Sequence, residues 1–181
     1  MIAIGVVETL SIPMGVLAGD QMLKTAQVEL IEAQTTCPGK YIVVICGEVA
    51  AVRSAVQAGI DAAGETLVDS LVIPNVDERV VAAMAGATPA EDVQAVGVLE
   101  TFSLASSVNA ADAAVKAANV ELIEVRLGRG MGGKSLIAVT GEVAAVEASI
   151  RAAEALAGME GLIASRVVIP SPHPDMIRAL M

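Results

Sequence analysis

The sequence predicts an α/β protein of the α+β kind: two tandem domains, each an antiparallel four-stranded sheet with helices packed on it. Three observations carry that expectation. The chain is written twice, its apolar residues follow strand and helix spacings in the same order in both copies, and its core formers are almost all small aliphatics. Of 181 residues 55% are hydrophobic, yet Tyr41 and Phe102 are the sole aromatics. Enough apolar mass is present to bury a core. A core of Ala, Val, Ile and Leu brings its elements close together, which favours a thin, tiled structure over a roomy substrate cavity.

The duplication is explicit. AIGVVET at 3–9 lies over AVGVLET at 95–101, an offset of 92 that also carries Asp20 onto Asp112, Lys24 onto Lys116 and VELIE at 28–32 onto VELIE at 120–124. After the first loop the offset is 94, with GEVAAV at 47–52 recurring at 141–146; after the second helix it is 96, placing Ile73-Pro74 on Ile169-Pro170. Each step of two is a loop insertion in the second copy. The boundaries expected are 1–90 for the first domain and 91–181 for the second, with AGATPAEDV at 85–93 as the junction.

Within a copy the elements follow in order. Residues 2–9 form a strand of β-branched and apolar residues. Leu104, Val108, Ala111 and Val115 then recur at helical spacing, in phase with Ile12, Val16, Gly19 and Leu23 of the first copy. Strands are expected at 28–34 and 40–46, joined by a turn-rich loop. Val49, Val52, Val56 and Ile60, matched by Val143, Val146 and Ile150, mark a second helix, and a last strand covers 67–73. Strand, helix, strand, strand, helix, strand is a ferredoxin-like variant.

Charge and composition exclude several functions. The formal charge is −10 with no basic run, so nucleic acid is not an expected partner. The longest stretch without a charged residue is eleven, short of the ~18–20 that a spanning helix needs, so no membrane association is expected. MIAIGVVETL has no cationic start, and with two cysteines the expected compartment is a reducing cytoplasm. LGRGMGGKS at 127–135 fits the phosphate-binding pattern G-x-x-x-x-G-K-[ST], but SLIAVTGE follows it. That is a strand where phosphate binding requires a helix N-terminus, so no nucleotide site is expected. No nucleophile, base and orienting group stand together; Glu8 and Glu100, equivalent in the repeat, read as structural carboxylates, and the chain is expected not to be an enzyme.

The series VGVLET, AADAAVKAANVELIEVRLG, GGKSLIAVTGEVAAVEASI and VIPSPH resembles the bacterial microcompartment shell domain, and its tandem arrangement is similar to the trimeric shell proteins of the propanediol-utilisation type T group. The resemblance covers essentially the whole chain. It implies a non-enzymatic homotrimer, a pseudohexamer packed edge to edge with other shell proteins around encapsulated enzymes, in a shell within the cytoplasm. It implies that the loop between the second and third strands lines a central pore for metabolite passage: Thr35, Thr36, Cys37, Pro38 and Gly39 in copy one, and Gly128, Arg129, Gly130, Met131 and Gly132 in copy two. Three copies of Arg129 near one axis would focus anionic metabolites; alternatively Arg129 points outward and pairs with a glutamate. Lys24 and Lys116 match the family's edge lysine. Asn75 and Ser171 stand where the family's edge turn has a basic residue, and His173 belongs to the same turn.

Some members of the group hold an iron–sulfur cluster on a cysteine early in the second domain's first helix. Here the position is Ser107, beside Ser106; the resemblance implies that both serines also line the pore, and serine is a poor soft-metal ligand. No cofactor and no metal are expected. The alternative is an electron-transfer tile with a pore-bound iron–sulfur cluster; a third reading is a ferredoxin-like trimer binding an effector between subunits. Cys46 reads as a small core hydrophobe, Cys37 as an unliganded loop thiol and His173 as a structural hydrogen-bonder.

Overall fold

The computed structural model describes residues 2–86, 93–128, 130–156 and 160–180. Among the described residues, eight strands and six α-helices follow one another as β1 (Ala3–Thr9), α1 (Ile12–Thr25), β2 (Glu29–Thr36), β3 (Lys40–Gly47), α2 (Val49–Ala63), β4 (Leu67–Ile73), α3 (Glu78–Ala85), β5 (Ala95–Thr101), α4 (Leu104–Ala117), β6 (Glu121–Leu127), β7 (Ser135–Gly141), α5 (Val143–Glu154), β8 (Ile163–Pro170) and α6 (Pro174–Leu180). The expected strands and helices are present in both copies. The short helices α3 and α6 lie beyond the six elements that periodicity gives. With 8 and 7 residues they show too few turns for an apolar stripe to be read.

Each sheet has one order, β2-β3-β1-β4 and β6-β7-β5-β8, and all neighbouring strands are antiparallel. Even the irregularities repeat. The register shifts between Leu30 and Glu32 and again between Leu122 and Glu124, then between Glu8 and Thr9 and again between Glu100 and Thr101. The small core residues explain how close the layers come. A Cβ at Gly5 on β1 would lie 2.6 Å from Val56, and one at its equivalent Gly97 on β5 would lie 2.8 Å from Ile150 and Val146. Each central strand is thus flush against the helix that crosses it.

Among the described residues, one compact unit holds 2–76 with 103–105 and 130–133, and the other holds 77–102, 106–128 and 134–180. In the first, α1 and α2 pack on β1 and β3 over Val7, Ala18, Met22, Val43, Ile45, Val52 and Val56. In the second, α5 covers β5 and β8, and α3 lies against β6. So α3 follows copy one in sequence and serves the sheet of copy two. The side of β5 away from Gly97 carries Val96, which clusters with Ile123 and Ala138, and Leu180 of α6 packs on them.

Candidate functional site

The loops expected to line a pore come from both copies, and the first unit brings them together. The β2–β3 loop turns through a cis Cys37–Pro38 bond and Gly39, whose φ is +87°. The copy-two loop has positive φ at Gly128, Gly130, Gly132 and Gly133. At Gly133, with φ +89°, a Cβ would stand 2.8 Å from Pro38 Cδ and 3.0 Å from the Cys37 carbonyl oxygen. Glycine is therefore required both for its φ and for the close approach. Cys37 and Pro38 are exposed, Gly130 is exposed, Met131 is half-buried, Thr35 is exposed and Thr36 is buried. Arg129 lies outside the described residues.

Lys134 and Ser135, the end of the phosphate-loop pattern, lead into β7, which pairs along its length with β5. No helix N-terminus follows the glycines. The Lys134 ammonium donates to both Glu100 oxygens at 2.8 and 2.9 Å, so the charge that a phosphate would need is already matched. Its repeat equivalent is tighter. Lys40 Nζ donates to Glu8 Oε1 at 2.7 Å, and the Glu8 side chain has 0% exposure. Glu8 Oε2 accepts from the Leu104 backbone amide at 2.9 Å, which places the carboxylate at the first residue of α4. Glu8 and Glu100 are thus structural carboxylates held by repeat-equivalent lysines.

The expected edge residues fall at repeated places. Lys24 pairs with Asp20 and Lys116 with Asp112, both at 2.6 Å and one helical turn apart. Asn75 and Ser171 both have left-handed backbones, with φ of 61° and 50°. That position turns the chain sharply out of β4 or β8, and Asn tolerates it better than Ser. His173 Nδ1 accepts from the Asp175 amide at 3.2 Å at the start of α6. Cys46 is half-buried on β3, and burial, with the charge of Glu29 adding to it, pushes its thiol pKa up, as for an inert core thiol. Ser106 and Ser107 are both buried, Ser107 completely. A serine hydroxyl at that position is a poorer ligand for an iron–sulfur cluster than the thiolate that usually holds one.

Sequence reasoning passed over Asp77 and Arg79. Asp77 caps α3 and accepts from the Arg79 amide, Nε and Nη2 at 3.0, 2.8 and 2.8 Å. Arg79 also donates to the Val120 and Val115 carbonyl oxygens, at 2.9 and 3.2 Å, and the Asp77 amide donates to Asp112 at 2.9 Å. This set fastens α3 over the end of α4 and the start of β6. An aspartate three residues after Ile73-Pro74 is the available signal, as a helix N-cap.

The family profile described as BMC domain matches residues 3–76 and 95–172, one match for each sheet. The chain belongs to the BMC domain family. The bacterial microcompartment shell protein PduT of Citrobacter freundii is 45% identical over 99% of this chain and 97% of its own length. The shell protein EutM of Salmonella typhimurium is 41% identical over 46% of this chain and 85% of its own, so one BMC domain here corresponds to most of that whole protein. A crystal structure of a microcompartment protein from Desulfitobacterium hafniense is 50% identical, covers 98% of this chain and 99% of its own, and superposes with a TM-score of 0.90.

Proposed function

We propose that this BMC-domain chain is a non-enzymatic structural tile of a bacterial microcompartment shell. Three copies close into a pseudohexagonal disc whose central pore is lined by the loops at 35–39 and 128–132 and passes small metabolites. The observation that supports closure into a ring is a mismatch between equivalent surfaces. Val80 of α3 is fully buried, and its equivalent Met176 of α6 is 60% exposed. Leu122, Ile123 and Val125 on β6, which α3 lies against, are buried, whereas Leu30 and Ala33 at the same places on β2 are exposed. Likewise Val16 on α1 is 52% exposed where Val108 on α4 is fully buried.

A chain with a covered acceptor on its second copy and an open one on its first, and with an α6 that rests on its own sheet through Leu180 while Met176 stays exposed, is built for head-to-tail contact. A subunit ahead receives α6 as β6 receives α3. Because the chains are identical, each such step turns by the same amount, and the likeness to trimeric tandem-domain shell proteins favours closure at three chains. Sedimentation velocity should give a species of about 55 kDa, three times the 18.3 kDa chain. A stable monomer at micromolar concentration would refute the tile.

A further inference from the structure

On the trimeric reading, one chain holds a site that is complete in its first copy and half built in its second. In copy one the site is complete. Glu8 holds Lys40 on one oxygen, and its other oxygen receives the Leu104 amide at 2.9 Å, with the Ser103 hydroxyl 3.4 Å away. The carboxylate stands at the N-terminus of α4, where the first amides lack helical partners and the macrodipole favours an anion. In copy two the same pair stands without a helix. Glu100 and Lys134 have side chains 30% and 38% exposed, against 0% and 11% for Glu8 and Lys40. Both Glu100 oxygens are turned to the lysine.

The repeat names the missing half. Ninety-two positions before Ser103 and Leu104 are Ser11 and Ile12, the N-cap and first residue of α1. Ile12 is exposed, and the Ser11 hydroxyl takes part in one long contact of 3.5 Å from the Met14 amide. We propose that Glu100 of one subunit caps α1 of the next, accepting from the Ile12 amide and the Ser11 hydroxyl of a second copy while Lys134 remains its counter-ion. One departure between the copies favours the serine contact. Ser103 gives its proton to Asp69, which pairs across the sheet with Glu8, but the residue paired with Glu100 is Ser165. Ser11 therefore meets the Glu100 carboxylate with no competing acid beside it. The lysine that completes a phosphate-loop pattern on paper, together with the glutamate it holds, thus becomes one half of a subunit junction, repeated three times around the ring.

The test is a dilution series by sedimentation velocity, in urea chosen to half-dissociate the wild type at micromolar chain, on Glu100→Gln, Ser11→Ala and the double variant. Each single change should raise the half-assembly concentration by about tenfold, the effect of one charge-assisted hydrogen bond. The double should add little to either, since both remove the same contact. Circular dichroism should show all three chains folded, because neither side chain lies in a core. Glu8→Gln, by contrast, should lower the melting temperature of the chain itself. Half-assembly concentrations within about twofold of wild type, or fully additive effects, would overturn the junction while leaving the trimer standing. A wild type that never assembles would overturn both.

Discussion

Gly133 joins two demands at one residue, a left-handed backbone and a Cβ position already occupied by Pro38 and the Cys37 carbonyl. Gly130, in the same loop with φ +71°, has nothing within 4 Å of that position. The two glycines therefore separate backbone strain from crowding. Gly130→Ala should cost about 1 kcal/mol from its φ alone, and Gly133→Ala about 3 kcal/mol from both. By thermal melting these losses correspond to drops of roughly 2–4 °C and 6–12 °C for a chain of this size. Equal losses would mean that the loops of the two copies do not touch. The sequence showed that these glycines belong to a connection between strands, since the residues after Lys134 alternate as a strand does. It could not show that Gly133 meets Pro38, which lies 95 positions earlier and in the other copy.

At the scale of elements, β1 to β8 and the four long helices were legible because each carries a period that no neighbour confuses. The helices α3 and α6 were not, because a helix of two turns shows its apolar side only against the surface that receives it. What holds α3 is the Asp77–Arg79 pair, and the pair makes its attachment sensitive to acid. Hydrogen bonding by Arg79 is the largest cause that lowers the Asp77 pKa from the usual 3.8 to about 2. A carboxyl whose pKa is depressed on folding contributes stability that is fully present above about pH 4 and is lost as pH falls toward 2. Asp77→Asn should therefore lower stability by about 1 kcal/mol at pH 6, the scale of a partly exposed pair. Its difference from wild type should shrink steadily between pH 4 and pH 2 in thermal melts. A difference independent of pH would show that the amide contacts alone, and not the charge, hold the helix.

At the scale of the whole molecule, the duplication was the plainest message of the sequence, and the asymmetry it conceals was the least legible. The copies share Glu8 and Glu100, Lys40 and Lys134, Leu30 and Leu122, and no letter tells which member of a pair is covered. That depends on which copy has a neighbour within its own chain, a property of connectivity rather than of composition. Edge lysines follow a different logic, since both copies expose them. Lys24 and Lys116 pair with carboxylates one turn away, and their side chains are 68% and 42% exposed. The Lys24–Asp20 pair is exposed on both sides and contributes at most about 1 kcal/mol, whereas Lys116 pairs with an Asp112 side chain that is 9% exposed and its loss costs about 2 kcal/mol; replacing both lysines with alanine should lower the melting temperature but leave the chain folded and its sedimentation unchanged. Under the proposed tile, what the double variant loses is a long, solvated side chain that would lie across an adjoining disc and donate to it with its ammonium while its methylenes cover apolar surface. Electron microscopy should show extended lateral sheets for wild type and isolated discs for Lys24→Ala with Lys116→Ala. Sheets that persist in the double variant would place the lateral contact elsewhere, with the left-handed turns at Asn75 and Ser171 as the next surface to change.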